Sequence, residues 1–319
     1  MAALTLKPAL CGVAALAVLT AAASAETYAL RDVSFRDITG KIDIKTTSGD
    51  EVDIAIRQGK TYRPVKLEQK DGVLIVTGER WKEDEGPDCC NRRIAREFKP
   101  REGRTLSDGP PLDEGLFGDY PVIEVFLPYD GNLEFIDARI WLALDRLGGA
   151  LALDACYVHG ETGDVGAAVV GVIDGSRLVM GNVAGGLEID VSGDADVRVG
   201  DASIVDVDIA GPGDVVLGDI DGMLDVSIAG SGLVRSTRVD GPMTARIAGS
   251  GAVVVKSGRA DRLRTYIDGS GGVFFGGAAR QPELTLSGSA EVRLDSAEGR
   301  IIRHGRGGAV YVGGVKIED

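Results

Sequence analysis

The sequence predicts an all-β chain that folds as a parallel β-solenoid with about 19 residues per coil, behind irregular N-terminal coils or a cap. Two observations predict this fold. A glycine-rich phrase returns at a nearly constant interval, and the residues on either side of it alternate between apolar and polar. Such alternation is typical of strands that turn one face toward a core.

The recurring phrase occupies the second half of the chain. Its copies VSGDADV, IAGPGDV, IAGSGLV, IAGSGAV, IDGSGGV and LSGSAEV end at Val197, Val215, Val234, Val253, Val273 and Val292. A weaker copy, HGRGGAV, ends at Val310 after a similar interval. A near-constant period of this kind indicates a stacked repeat architecture.

Each repeat contains two short strands that meet at the glycine-rich corner. A less regular segment follows, which we call the return, and it leads to the next coil. Glycine suits the corner because the chain turns there within a few residues, often through positive φ. The expected inward positions before the corner are Leu187/Ile189/Val191, Val205/Val207/Ile209, Leu224/Val226/Ile228, Ala245/Ile247, Leu263/Thr265/Ile267 and Leu284/Leu286. Those after it are Val197/Val199, Val215/Leu217, Val234/Ser236, Val253/Val255, Val273/Phe275, Val292/Leu294 and Val310/Val312.

Stacking gives these strands the core that a single repeat lacks. Coils about 4.8 Å apart pair their backbone groups with the next coil, and the stack places Ile209, Ile228, Ile247, Ile267 and Leu286 in one internal column.

Other β architectures fit the sequence less well. A propeller blade needs about 40–45 residues, and a hexapeptide helix needs a strict six-residue step. Calcium-binding nonapeptide helices need a repeated Gly-Gly-x-Gly-x-Asp, and AGSGAV and DGSGGV have no aspartate at that last position.

The repeats resemble a known bacterial family, the auto-transporter adhesin head domain, also called the GIN domain. The similarity lies in units of the form DVxIAGSGxV, in the N-terminal signal sequence and in the acidic, Gly- and Asp-rich composition. It is good from Leu187 to Val312 and fainter from Tyr120 to Gly186. The resemblance implies a right-handed β-helix, no established catalytic residues and a role in adhesion.

The chain begins with a predicted signal peptide at residues 1–25. Lys7 precedes an apolar run, and Ala23-Ser24-Ala25 provides small residues for cleavage before Glu26. The apolar run is short for a membrane anchor, which needs about 20 residues. We therefore expect an exported protein, either periplasmic or at the cell surface, with no membrane span.

The charge composition argues against some classes of binding partner. The formal net charge is −14, which argues against nucleic acid and anionic membranes. An envelope component or a polysaccharide remains as a possible partner, and the sequence leaves the oligomeric state open. No motif for a cofactor or a catalytic nucleophile is present.

Upstream of the solenoid the pattern is rougher. Residues 26–80 predict N-terminal strands or a cap, residues 81–120 form a charged, Pro- and Gly-rich insertion, and the solenoid is expected from 121 to 319. A long segment without periodicity is usually functional or disordered.

Three cysteines follow the signal peptide. In an oxidising compartment we expect a bridge from the adjacent pair Cys89 and Cys90 to Cys156, with one thiol left over, and a strained Cys89–Cys90 bridge is the alternative. Three cysteines and two histidines lack the paired spacings of zinc sites. We therefore expect no metal site.

Two groups of polar residues are candidates for a catalytic site, and each also has a simpler structural explanation. His159, Glu161 and Asp164 fit an acid–base site, but a solvated loop explains them more simply. A second group points outward on neighbouring coils and grades from acidic to basic: Glu188, Asp190, Asp206, Asp208 and Asp225, then Arg246, Arg264 and Tyr266. A salt-bridged surface accounts for this face as well as a glycosidase or lyase site does.

The alternation breaks in one outward column after the corner. Three coils place Arg198, Arg235 and Arg293 there, whereas others place Val216, Val254, Phe274 and Tyr311. We interpret Val254, Phe274, Arg293 and Tyr311 as a candidate interaction patch, in which Arg293 stacks on an aromatic ring. The patch either binds a partner or a sugar ring, or lies under the 81–120 insertion.

The sequence thus favours an exported, non-catalytic β-solenoid that acts as a binding, adhesion or envelope-structural module. The alternative is a carbohydrate-active β-helix enzyme, since β-helices often cleave polysaccharides in a groove along one face.

Overall fold

The computed structural model describes residues 24–59, 63–78, 120–173, 175–305 and 307–318. None of these residues belongs to a helix with the length and hydropathy needed to cross a membrane. Residues 1–23 lie outside the described ranges, so the signal peptide and its cleavage after Ala25 stay a prediction. The same holds for the 81–120 insertion, of which only Tyr120 is described.

The described residues form 26 β-strands. Their bounds are β1 Ser24–Tyr28, β2 Asp32–Arg36, β3 Thr39–Thr47, β4 Val52–Arg57, β5 Lys66–Lys70, β6 Val73–Thr77, β7 Val122–Pro128, β8 Leu133–Leu144, β9 Leu147–Thr162, β10 Val165–Ile173, β11 Arg177–Met180, β12 Val183–Ser192, β13 Asp196–Val199, β14 Ala202–Gly211, β15 Asp214–Ile220, β16 Leu224–Gly230, β17 Leu233–Asp240, β18 Met243–Gly249, β19 Ala252–Ala260, β20 Leu263–Gly269, β21 Gly272–Ala279, β22 Pro282–Gly288, β23 Glu291–Ala297, β24 Ile302–His304, β25 Ala309–Val312 and β26 Val315–Lys316.

All of these strands belong to one continuous sheet that folds into a parallel β-solenoid, as the sequence predicts. The strands line two faces of the solenoid, which we call the A face and the B face. The A face contains, in spatial order, β6, β2, the first part of β8, the first part of β9, then β10, β12, β14, β16, β18, β20, β22 and β24. The B face contains β4, β7, β3, the ends of β8 and β9, then β11, β13, β15, β17, β19, β21, β23 and β25. From β9 to β25 the chain makes nine coils.

The predicted inward columns form the core. Ile209, Ile228, Ile247, Ile267 and Leu286 pair in register on successive coils, and none is more than 3% exposed. Each such side chain contributes about 1.5–3 kcal/mol on burial. The column therefore stabilises the stack through many equivalent contacts.

The return between the B face and the next A face is more regular than expected. One inward residue per coil forms a third buried column, which includes Leu147, Val165, Val183, Ala202, Ile220 and Val239. Because only one residue per coil points inward here, the sequence shows no alternation that reveals it.

The glycine corners also stack in register. Gly211, Gly230, Gly249 and Gly269 have φ values of +127°, +131°, +126° and +130°, a region that L-residues with a Cβ rarely adopt. A Cβ on Gly249 would lie 2.4 Å from the carbonyl oxygen of Gly230 in the preceding coil. Glycine is needed here both for the backbone conformation and for the close approach of coils.

The N-terminal region is a cap of partly antiparallel strands. β1 pairs with β4, β4 with β7, and β5 with β6, all antiparallel. At the other end β26 pairs antiparallel with β25. Such strands change the edge that the terminal coils present and limit edge-to-edge pairing.

Replacing Gly249 by Ala tests the corner. The new methyl group would clash with the Gly230 carbonyl and strain the backbone, so the free energy of unfolding should fall by at least about 2 kcal/mol. Gly186→Ala is the matched control, because a Cβ there meets no atom within 4 Å and its φ is not positive. Urea denaturation should separate the two variants, and equal stabilities would contradict the corner geometry.

Candidate functional site

The four predicted patch residues lie in one outward column of the B face. In register, Arg235 pairs with Val254, Val254 with Phe274, Phe274 with Arg293, and Arg293 with Tyr311. Val254, Phe274 and Tyr311 are half-buried, and Arg293 is exposed. Neighbours in this column come from different coils, so the order of side chains is set by the register of the stack.

Arg293 lies between two aromatic rings. Its guanidinium carbon is 5.7 Å from the centroid of the Phe274 ring and 5.4 Å from that of Tyr311, within the range of cation–π attraction. Its Nε forms an ion pair with the Glu291 carboxylate. We call Phe274, Arg293 and Tyr311 the aromatic–arginine stack.

Gly272 leaves the space that the Phe274 ring, the first ring of the stack, occupies. A Cβ on Gly272 would lie 2.7 Å from Cε2 and 2.8 Å from Cζ of Phe274, so the ring lies over the Gly272 backbone. Corresponding positions in register hold larger residues, Leu233, Ala252 and Glu291. Sequence reasoning missed this role, although the extra glycine in SGGVFF is a visible signal.

The arginines of this outward column have acidic partners in the column beside it. Arg198 binds Asp196, Arg235 Nη1 binds Asp214 Oδ2 at 2.8 Å, and Arg293 pairs with Glu291. Each pair is solvent-exposed enough to contribute little to stability. The pairs make this part of the B face locally neutral and hold the guanidinium groups close to the sheet.

The A face carries a different pattern, which we call the acidic ladder. Glu188, Asp206 and Asp225 occupy one column on successive coils, and Asp190 and Asp208 occupy the next. Burial and the surrounding carboxylates raise the pKa of Asp206, and burial together with Asp208 raises the pKa of Asp190. Like charges in register oppose folding.

Arg246 ends the acidic ladder toward the C-terminus. Its Nη1 lies 2.5 Å from Asp225 Oδ1, and its guanidinium carbon is 6.0 Å from the Tyr266 ring centroid. Arg264 binds Glu283 at 3.4 Å. The basic residues of this face are therefore salt-bridged, which matches the simpler interpretation of the sequence gradient.

A groove of about 460 Å³ lies on the A face near its N-terminal end. Glu134, Asp154, Val169, Gly171 and Asp190 are among the residues that line it. Asp154 and Asp190 flank Gly171 in register, two coils apart, and a Cβ on Gly171 would come no closer than 3.8 Å to another atom. Burial, with Asp137 nearby, raises the pKa of Asp154.

A β-bulge shapes one side of the groove. The register of β8 against β9 shifts between Phe135 and Ala138, and Asp137 within the bulge has φ +54°. Bulges of this kind redirect side chains and often border functional sites.

His159 and Glu161 lie two residues apart on β9, where the Glu161 carboxylate acts on His159, whereas Asp164 follows that strand in the return. His159 lies between Trp141 and Arg177 in the B-face ladder, where burial and Arg177 lower its pKa. The Asp164 side chain instead accepts the backbone N–H of Asn182 at 2.8 Å, in the return. Asp164 thus has a structural contact with the next coil.

Cys156 lies on β9 and is 7% exposed. Cys89 and Cys90 lie outside the described residues, so a bridge from that pair to Cys156 stays a prediction. In the part of the chain that is described, no three His, Cys, Asp or Glu side chains are grouped so as to hold a metal ion.

No protein-family model and no curated protein matches the chain. Among solved structures it is similar to a putative adhesin from Bacteroides fragilis, with 13% identity over 80% of this chain and 98% of that chain and a TM-score of 0.37. It is also similar to a putative adhesin from Parabacteroides merdae, with 16% identity, coverages of 82% and 96% and a TM-score of 0.36. A putative cell adhesion protein from Clostridium sporogenes has 9% identity, coverages of 79% and 98% and a TM-score of 0.18. Likenesses this distant carry no argument about what the chain binds.

Replacing Asp206 by Asn should raise the melting temperature at neutral pH by about 1–2 °C. Burial and neighbouring carboxylates raise the folded-state pKa of Asp206 above its ordinary value of 3.8, so ionisation costs stability as pH rises through that raised pKa. The gain should shrink in high salt and vanish as pH falls below the ordinary carboxyl pKa.

The matched control is Asp225→Asn. Asp225 belongs to the same ladder but binds Arg246, so this variant should gain no stability. Thermal melts of both variants between pH 3 and pH 7 would check the prediction, and a lower melting temperature for Asp206→Asn at neutral pH would contradict it.

Proposed function

We propose that this chain is an exported, non-catalytic binding module of the adhesin type, whose ligand contacts the aromatic–arginine stack on the B face. The observation that carries the proposal is the position of Arg293 between Phe274 and Tyr311 on three successive coils. Aromatic rings and a planar guanidinium form a recognition surface for flat or ring-shaped ligand groups.

The fold supports binding without catalysis. Residues of the stack come from β21, β23 and β25, which are hydrogen-bonded in register, so the surface is preorganised before a ligand arrives. Preorganisation lowers the entropy lost on binding. Stacked rings and paired charges hold a ligand without transferring protons, which suits adhesion.

Export and family membership are parts of the same proposal. The apolar N-terminal run before Ala23-Ser24-Ala25 supports export to the periplasm or the cell surface. The repeated glycine corners and their in-register columns support membership of the GIN-domain family. The partner is an envelope component or a polysaccharide.

The groove on the A face favours a second candidate function, a carbohydrate-active enzyme. Asp154 and Asp190 both have a raised pKa, which a general acid requires. Their positions two coils apart correspond to about 9–10 Å between backbones at strand spacing, close to the carboxylate separation of about 6.5–9.5 Å in inverting glycosidases.

The stack is tested by the double variant Phe274→Ser/Tyr311→Ser. Both rings are half-buried on the outer surface, so the melting transition should change little while binding to isolated cell-envelope fractions falls at least about tenfold. Pull-down titration with the purified chain measures the binding, and Tyr266→Ser on the A face serves as the matched control. Unchanged binding by the double variant would remove the stack as the binding site.

The second candidate is tested by reducing-sugar release from a panel of polysaccharides. Under the binding-module proposal the wild-type chain releases no sugar above the level of Asp154→Asn/Asp190→Asn. Release by the wild type that this variant abolishes would establish the groove as a catalytic site and overturn the non-catalytic assignment.

A further inference from the structure

We infer that the ligand of the aromatic–arginine stack is a neutral polysaccharide, bound as an extended chain along the solenoid axis. This inference rests on the proposed function, since it names the ligand class of the same surface. It rests on four observations: the spacing of the side chains in the stack, the position of the Phe274 ring over Gly272, the balance of charges near the stack, and the narrow width of the apolar surface.

The spacing of the stack matches a linear ligand with repeated rings. Phe274, Arg293 and Tyr311 follow one another at one coil spacing, about 4.8 Å. A pyranose in an extended β-linked chain is about as long as one coil spacing. Successive sugars can therefore lie over Phe274, Arg293 and Tyr311, with their apolar ring faces against the side chains.

The first ring is held in an orientation that suits stacking. Phe274 lies over the backbone of Gly272, whose missing Cβ leaves the space that the ring occupies. The ring is therefore held close to the sheet at Gly272, with the Arg293 guanidinium over it. Gly272 is a positioning residue for the ligand surface, because it acts only through Phe274.

Local charge favours a neutral ligand. Glu291 pairs with Arg293, and Asp214 pairs with Arg235 further along the same face. Each pair offers donors and an acceptor side by side, as sugar hydroxyls require. A polyanionic chain would meet these carboxylates and the overall charge of −14, which repels polyanions.

The apolar surface is too narrow for a stable protein partner. It consists of one side chain per coil, Val254, Phe274 and Tyr311, interrupted by Arg293. Stable protein interfaces bury about 800 Å² on each partner. A polysaccharide chain one sugar wide needs only a strip of this kind.

Affinity electrophoresis of the full chain tests the inference. The gels contain hydroxyethyl cellulose, arabinoxylan or galactomannan as neutral polymers, and polygalacturonate or alginate as anionic polymers. At least one neutral polymer should retard the wild type. Phe274→Ser/Tyr311→Ser should raise the dissociation constant at least about tenfold, and the control Tyr266→Ser should leave it unchanged.

Two further variants separate ring stacking from folding. Phe274→Leu/Tyr311→Leu keeps apolar side chains and removes the flat rings, so it should melt like the wild type and still lose retardation. Gly272→Ala keeps every side chain of the stack but displaces the Phe274 ring, so it should weaken retardation about threefold. Full retardation of both variants would overturn the stacking geometry.

The outcomes distinguish the ligand class from the proposed function. Retardation by anionic polymers alone would overturn the inference. Envelope binding that the Ser/Ser variant abolishes, without retardation by a neutral polymer, would also overturn the ligand class while the binding function stands. A Ser/Ser variant that retains both retardation and envelope binding would overturn both.

Discussion

Backbone hydrogen bonding between successive coils, in a register that repeats once per coil, is the constraint on which this molecule depends. It makes each side chain a neighbour of the equivalent side chain in the next coil. Isoleucine therefore meets isoleucine in the core, as Ile228 meets Ile247. Glycine likewise meets glycine at the corner, where Gly249 approaches Gly230 too closely for a Cβ. Fold stability and surface chemistry follow from the same register.

On the surface, the register has opposite effects in two places. Where the sequence repeats a carboxylate, as at Asp206 and Asp225, like charges are brought together, and burial together with these charges raises the pKa of Asp206. Where the sequence changes residue type from coil to coil, as at Phe274, Arg293 and Tyr311, an attractive stack forms instead. Departures from the repeat are thus the places where a function can be sought, because the repeated residues already serve the fold.

The inward columns, the glycine corners and the outward patch could be predicted from the sequence, because each leaves a periodic signal. The third inward column, with Ile220 and Val239, could not, since one residue per coil produces no alternation. The groove is lined by residues beside a bulge around Asp137 that shifts the register between β8 and β9, and such a shift has no signature in a single sequence. The role of Gly272 leaves one signal, the extra glycine of SGGVFF, but this residue follows the corner glycines and resembles one of them. The pairing of Cys89 or Cys90 with Cys156 stays a prediction, since the pair lies outside the described residues.

The central claim is that the B-face stack, and not the A-face groove, receives a sugar chain. A crystal structure of the full chain soaked with cellohexaose tests it most directly. The account predicts sugar rings over Phe274, Arg293 and Tyr311, with the chain parallel to the solenoid axis. Sugar bound between Asp154 and Asp190 in the groove, with none on the stack, would contradict it.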